Sequence, residues 1–498
     1  MSDRKKMILF SHVCNARNMT GAEKLLLFLA RKLNAYFECV LVVPLEGKLA
    51  QMARASGIRT KQLYNPLLYE MCAPFEGLQA KAEMLAYSFD GKAILSFLQE
   101  ENCDYVFVNT CVNVVPAMMA KHLGIPVIWH ITETVPEQAF RHLTVGLVQK
   151  YSDHIVGISE AVLSPYRMGT APSKVSLLYP SWEQYEYHPE RWDTARITKR
   201  KEWGIKEGQT VIGYVSSFLI AQKGPEHFIE AAIELNRKYK NLKFIVIGGE
   251  LDRKFYRQLK RKIREAECVG KFIFIDYEDA IETAYCGMDI VVVPSLLSEG
   301  FGMTAMEAMI VGKPVVSYAA GGLREILENT SSSEYLVGVG DKKQLQAKIS
   351  SLVEAPNMAK EIGKSNQEKV NLIFGPQNYE HQLHALVATI SNLSGEAIHL
   401  NQEKINNIGT PISPPTSVVT EATKTITRRR SSPSSVRTKK SKITRRKISK
   451  KGRKLKGKGR KSLNRSLNRS SRKIKKIKPN IKRTKKVISK RRSKKRKK

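Results

Sequence analysis

Two glutamates eight positions apart, Glu299 and Glu307, lie in the stretch 289–325, DIVVVPSLLSEGFGMTAMEAMIVGKPVVSYAAGGLRE. An apolar run ends at Pro294, a loop carries Glu299, Gly-Phe-Gly follows, and a helix beginning near Gly302 carries Glu307 on its second turn. Glycines at 300 and 302 let a backbone come close to a ligand, and the N–H groups of Phe301, Gly302 and Met303 point out of the helix start. Carboxylates beside such donors can accept hydrogen bonds from vicinal hydroxyls, which sugar rings and ribose supply. Acidic residues near a helix start also serve its dipole, so either Glu alone says little. The set carries the reading: strand, Pro-Ser, Ser-Glu-Gly-Phe-Gly, the second Glu, Gly-Lys-Pro, and a second strand ending at Gly321-Gly322.

A cation stands in a similar setting. GYVSSFLIAQKGPEHFIEAA at 213–232 reads as a strand, then Lys223-Gly224, then a helix with Pro225 in its first position. A lysine beside a helix N-terminus suits a diphosphate. In the first half of the chain, Thr20-Gly21-Ala22-Glu23 opens a helix after the first apolar run, and His130 closes the run PVIWH. Glu133, three residues on, is a weaker candidate. No Asp-x-Asp occurs in 1–421, and the cluster Asp276-Tyr-Glu-Asp279 precedes a helical stretch, where capping is the expected use. The expected metal set is therefore none.

The elements that must position these residues follow an α/β pattern. Short β-branched runs alternate with amphipathic stretches of helical length, the signature of a parallel sheet covered by helices. One series runs from MILFSHV to VSLLYP at 175–180, and a second from VIGYVSS at 211–217 to helices closing near Ile390. The polar, aromatic SWEQYEYHPERWD between them reads as a connection. The expectation is two Rossmann-like domains, 1–185 on the acceptor side and 200–391 on the donor side, facing across a cleft lined by the carboxyl ends of the strands.

These motifs resemble the retaining glycosyltransferases of family 4, of GT-B fold, over about residues 7–390. Their Glu-x7-Glu signature is matched by Glu299 and Glu307. The resemblance implies transfer of a hexosyl group from a nucleotide-diphosphate sugar with retention. It gives Glu307 the nucleotide ribose, Glu299 and the N–H groups of Phe301, Gly302 and Met303 the donor sugar, Lys223 the leaving diphosphate, and His130 the reacting side of the sugar. Gly21 lies in a turn similar to the Gly-Gly-x-Glu turn near donor and acceptor. The family often has an Arg shortly before the Lys, where this chain has Ser216 and Ser217. Catalytic candidates are thus Glu299, His130 and Lys223; donor-binding candidates are Glu307, Phe301, Gly302, Met303, Lys223 and Gly21. No cofactor is expected beyond the nucleotide sugar. The alternatives are a transferase-like scaffold without turnover and a nucleotide-sugar epimerase.

Composition is uneven along the 498 residues. Residues 422–498 hold 38 Lys and Arg and no Asp or Glu, so the formal charge of +38 lies there, while 1–421 carry 46 basic against 46 acidic residues. With no Phe, Tyr, Trp or Cys, that segment is expected to be a disordered polybasic tail, joined by a linker at 392–421. Its charge fits an anionic membrane surface or polymer, with nucleic acid as a second partner. The acceptor partner is a glycan, lipid or protein not identified by the sequence. No secretory signal and no apolar run of membrane-spanning length is evident. Seven scattered cysteines without a C-x-x-C pair point to a reducing compartment. The expected location is cytoplasmic, peripheral to an anionic surface.

Overall fold

The structure, a computed structural model, describes residues 4–16, 19–330 and 332–393. The linker and polybasic segment expected from the sequence lie outside the described residues, apart from Asn392 and Leu393. Among the described residues thirteen strands form two sheets, in which every strand pair is parallel. In the first lobe these are β1 (Lys6–Phe10), β2 (Glu38–Val43), β3 (Arg59–Gln62), β4 (Tyr105–Asn109), β5 (Val127–Ile131), β6 (His154–Gly157) and β7 (Val175–Leu177). Their order is β3-β2-β1-β4-β5-β6-β7. The second lobe holds β8 (Thr210–Phe218), β9 (Leu242–Gly249), β10 (Phe272–Ile275), β11 (Ile290–Val293), β12 (Val315–Tyr318) and β13 (Leu336–Val337), in the order β10-β9-β8-β11-β12-β13.

The central strands carry long apolar runs because both of their faces are covered. In β1, Met7 and Leu9 enter one apolar cluster while Ile8 and Phe10 enter the other, and β2 alternates in the same way. One of these clusters continues from the first lobe into the second, through residues such as Trp129, Tyr179, Phe301 and Phe374. Two edge strands had no apolar run to announce them. β3 reads Arg-Thr-Lys-Gln and is held by its backbone pairing with β2, and β13 is two residues long.

The reversal in each strand order, between β1 and β4 in one lobe and β8 and β11 in the other, opens a crevice at the carboxyl ends of the strands. The chain crosses from the first sheet to the second through two 3₁₀ turns and the helix Trp192–Glu202. That helix is moored to the second lobe by Arg196 and Arg200 on Asp289, whose carboxylate also accepts the Val211 N–H at 2.7 Å. The helix Pro376–Asn392 returns to the first lobe, where Leu383, Leu386, Val387 and Ile390 join the cluster under β1 and β2. Its Tyr379 ring meets Phe28 edge-on at 4.8 Å.

Candidate functional site

The loop that carries Glu299 is stitched to the end of β12. The Glu299 N–H donates to the Ala320 carbonyl at 3.3 Å, and its own carbonyl accepts the Gly322 N–H at 2.9 Å. Gly302 then caps the helix Met303–Ile310 with a φ of 117°, a left-handed conformation that glycine adopts without steric cost. A Cβ there would meet Leu323 Cδ2 at 2.6 Å. Phe301 turns its side chain inward against Tyr179 and Phe374. Among the described residues, the N–H groups of Phe301, Gly302 and Met303 have no acceptor, as a helix start facing a ligand requires.

Lys223 comes to the same place from the end of a 3₁₀ turn before the helix Pro225–Lys238. Its Nζ donates to both Glu299 oxygens at 2.7 Å. The pair is partly exposed, with Lys223 at 34% and Glu299 at 18% of side-chain surface, so a ligand can reach it. Both border a cleft of about 330 Å³ between the lobes. Lys223 is the only Lys or Arg among the described residues lining it; Ser216 and Ser217 form part of the wall, and Arg324 lies elsewhere, paired with Glu328.

Of the residues expected from the sequence, Glu299, Lys223, Phe301, Gly302, Met303 and Gly21 all line this cleft. Glu307 is set one helical turn behind Met303 and Thr304, half-buried, and its carboxylate accepts from the Tyr285 hydroxyl at 3.1 Å. Burial pushes its acid up, partly offset by the positive charge of Lys24 and by the Tyr285 hydroxyl. His130 is not brought into the cleft lining. It is buried, with Nδ1 at 2.8 Å from Asn109 Oδ1 and its ring against Phe107, and burial pulls its pKa down to about 4. In the turn Thr20–Glu23, Gly21 is exposed to the cleft while Glu23 is buried and accepts the N–H groups of Asn15 and Thr20, fixing the loop beside it.

Sequence reasoning missed the residues that join the lobes. Gly300 touches the first lobe so closely that a Cβ would lie 2.0 Å from the Thr132 carbonyl oxygen. Ser159 donates to the Gly300 carbonyl at 2.5 Å and caps its own helix by accepting the Val162 N–H. Thr134 donates to the Ser298 carbonyl at 2.7 Å. Glu325, from the second lobe, accepts the Glu160 and Ala161 N–H groups at the start of a first-lobe helix and the Tyr179 hydroxyl at 2.5 Å. Glu133, the weaker candidate of the sequence, also lines the cleft from the first lobe. No local signal marks these contacts, because each partner is more than 140 residues away in sequence. The Asp276–Asp279 cluster is not the expected cap. The helix Ile281–Gly287 starts from Ala280 without a side-chain cap, and Glu278 instead accepts the Ala280 N–H and pairs with Lys199.

Residues 195–369 match the family model of the glycosyl transferases group 1. The match covers the second lobe, with Lys223, Glu299 and Glu307 inside it. Among curated proteins, the chain is 28% identical over 160 residues to 2-deoxystreptamine glucosyltransferase of Streptomyces kanamyceticus, covering 32% of this chain and 40% of that protein. It is 27% identical over 235 residues to D-inositol 3-phosphate glycosyltransferase of Rhodococcus erythropolis, covering 46% and 52%. The chain thus spans about half the length of these relatives or less. The fold extends further. Anabaena HepE, solved in complex with UDP-glucose, superposes with a TM-score of 0.63 at 18% identity, over 77% of this chain and all of that one. Both lobes therefore have the GT-B architecture. Among the described residues no helix is long and apolar enough to cross a membrane.

Proposed function

We propose that this chain is a glycosyltransferase that moves a hexosyl group from a nucleoside-diphosphate sugar to a hydroxyl acceptor. The observation that carries the reading is the convergence, in one cleft between two Rossmann-like lobes, of Lys223, Glu299 and the free N–H groups of residues 301–303. The match to the glycosyl transferases group 1 and the UDP-glucose bound by HepE support it.

The diphosphate would displace the Glu299 carboxylate from Lys223 and lie against the helix start, where fixed donors stabilise the charge of the departing group. Glu299, released, accepts from hydroxyls of the donor sugar, and Glu307 accepts from ribose. Gly21 leaves room on the opposite wall. His130 backs that wall and holds Asn109. Retention of configuration follows from the family resemblance. With Lys223 and the helix start neutralising the phosphates, the reaction needs no metal and no further cofactor. The basic segment 422–498 tethers this body to an anionic surface or polymer, placing the enzyme at the periphery of a membrane on its cytoplasmic side.

A panel of nucleoside-diphosphate sugars, screened by thermal shift and by release of nucleoside diphosphate, tests binding and turnover separately. At least one UDP or GDP sugar should raise the melting temperature and be cleaved. Binding without any cleavage would favour the scaffold alternative, and an altered sugar still attached to its nucleotide would favour the epimerase.

A further inference from the structure

Cys72 and Cys111, 39 positions apart in sequence, bring their sulfurs to 3.7 Å. The segments that carry them are bonded to each other: the Leu68 N–H donates to the Val112 carbonyl at 3.0 Å, and Asn65 Nδ2 donates to Asn113 Oδ1 at 2.5 Å. The 3₁₀ turn Tyr69–Met71 ends at Cys72, and the Met71 carbonyl accepts the Thr144 hydroxyl at 2.9 Å. Cys111 follows Thr110, whose φ of 72° is costly for a β-branched residue. That turn is kept by the Thr110 N–H on the His130 carbonyl at 2.8 Å and by the Trp129 indole on the Thr110 carbonyl at 2.8 Å. Both sulfurs are therefore aimed by fixed backbone. The thiols differ in access and charge. Cys72 is partly exposed and Cys111 is buried. The hydrogen bond from Cys111 holds the Cys72 thiol below its ordinary value, and the same bond and burial push Cys111 up. The other five cysteines, Cys14, Cys39, Cys103, Cys268 and Cys286, are all pushed up by burial, and none is hydrogen-bonded to another cysteine among the described residues.

We propose that Cys72 and Cys111 are a modification site for peroxide, closing reversibly into a disulfide behind the first-lobe wall of the cleft. The Cys72 thiolate attacks one peroxide oxygen: the S–O bond forms, the O–O bond breaks, and the departing hydroxide takes a proton to become water. Cys111 then attacks the sulfur of the Cys72 sulfenic acid, the S–S bond forms, and the S–O bond breaks with loss of a second water. The two thiols give up two electrons and the peroxide accepts them. Joining the sulfurs brings them closer by roughly 1.6 Å, given a disulfide length near 2.05 Å. The Cys111 N–H donates to Glu133 Oε2 at 3.2 Å, and Glu133 lines the cleft, so one residue separates the new bond from the enclosed volume. In a reducing compartment such a bond is transient, formed under peroxide and reopened by thiols. The pair closes whether or not the chain transfers a sugar.

Hydrogen peroxide in slight excess over the reduced full-length chain is the probe. Thiol titration after denaturation should find two of the seven cysteines lost, and a non-reducing digest should contain the peptide of Cys72 joined to that of Cys111. Dithiothreitol should return all seven. In Cys111→Ser the sulfenic acid has no partner, so dimedone should label Cys72. In Cys72→Ser the buried Cys111 should take up dimedone at least about tenfold more slowly, as its access and raised thiol require. Cys111→Ala is the second variant should Ser disturb the buried site, and the digest of the wild-type chain decides without either. Seven free thiols after peroxide, a disulfide between other cysteines, or Cys72 carried on to sulfinic acid with no joined peptide overturns the proposal. So does dimedone labelling of Cys111 in Cys72→Ser as fast as that of Cys72 in Cys111→Ser.

Discussion

The carboxyl ends of the two sheets meet across one cleft, and they are built by different means. The second lobe meets a ligand with bare backbone and charge: Gly300, Gly302, the free N–H groups after them, and Lys223 paired with Glu299. The first lobe meets it with a wall braced from behind by buried polar side chains. Asn113 Nδ2 donates to the Phe10 and Asn109 carbonyls, Asn65 bonds Asn113, and Asn109 bonds His130. The second surface suits an anion whose charge grows during reaction, and the first suits the placing of a neutral hydroxyl partner. Each lobe can therefore be disturbed separately, with a different quantity expected to move.

The largest change should come from the cation of the second lobe. Lys223→Met leaves Glu299 without its partner and removes the only Lys or Arg among the described residues lining the cleft. Release of nucleoside diphosphate should fall about 10²- to 10³-fold, the usual cost of losing one donor to a developing oxyanion. A loss below tenfold in a steady-state assay would mean that the first lobe also supplies charge, and the contrast would not hold.

Glu307→Ala should act on affinity. Losing a charged acceptor for ribose weakens donor binding by roughly 1–3 kcal/mol, seen as a higher dissociation constant in calorimetry, with the fold retained. Tyr285→Phe should move the same constant less, since it removes one neutral donor from the Glu307 carboxylate. Unchanged affinity in Glu307→Ala would remove the ribose assignment and leave the loop at 299–303 to hold the donor alone.

This contrast also explains what could be read from the amino-acid sequence. The second-lobe set is compact: Glu299, the glycines and Glu307 fall within nine consecutive positions, bounded by a strand and a helix of opposite periodicity. The central strands were legible for the same reason, because burial of both faces leaves an unbroken apolar run. β3 and β13 were not: β3 is polar and held by backbone pairing, and β13 is only two residues long. In the first lobe, His130 drew attention as a titratable group at a strand end, yet alternation along β5 turns its side chain into the packed interior. Thr132 and Glu133, just beyond this strand, reach the cleft instead. The inter-lobe contacts of Ser159, Gly300 and Glu325 join distant segments and are set by tertiary packing that no local pattern encodes.

The bracing role of the first lobe predicts a stability effect with a definite sign. Burial pulls His130 down to about 4, whereas in the unfolded chain it titrates near 6.5. Between those values the unfolded chain binds a proton that the folded one refuses. Stability present above pH 6.5 is therefore lost as pH falls toward 4. For this one group the loss between pH 7 and pH 5 is about 2 kcal/mol. Urea unfolding of His130→Gln at the two pH values should show a pH-dependent loss smaller than wild type by about that amount. Equal losses in both proteins would mean that His130 is solvated and titrates freely, as a residue open to the cleft would.

The smallest effect on the cleft should come from removing the largest charge. A chain stopped near residue 395 keeps the helix Pro376–Asn392, whose Leu383, Leu386, Val387 and Ile390 complete the first-lobe core, and it loses all 38 basic residues of 422–498. Because 1–421 are balanced in charge and Lys223 supplies the local cation, donor affinity and nucleoside-diphosphate release should stay within about threefold of the full chain, with or without EDTA. Stopping at 375 should instead destabilise the first lobe, since several large apolar side chains would leave its core together. Association with anionic vesicles should separate the two functions. The full chain should bind them with an affinity that falls steeply with salt, at roughly 1 kcal/mol per basic residue near the surface, and the form ending at 395 should not bind. If the shortened protein melted normally but lost donor binding, the basic segment would be supplying charge to the cleft. The second lobe's single lysine would then be only part of its anion site.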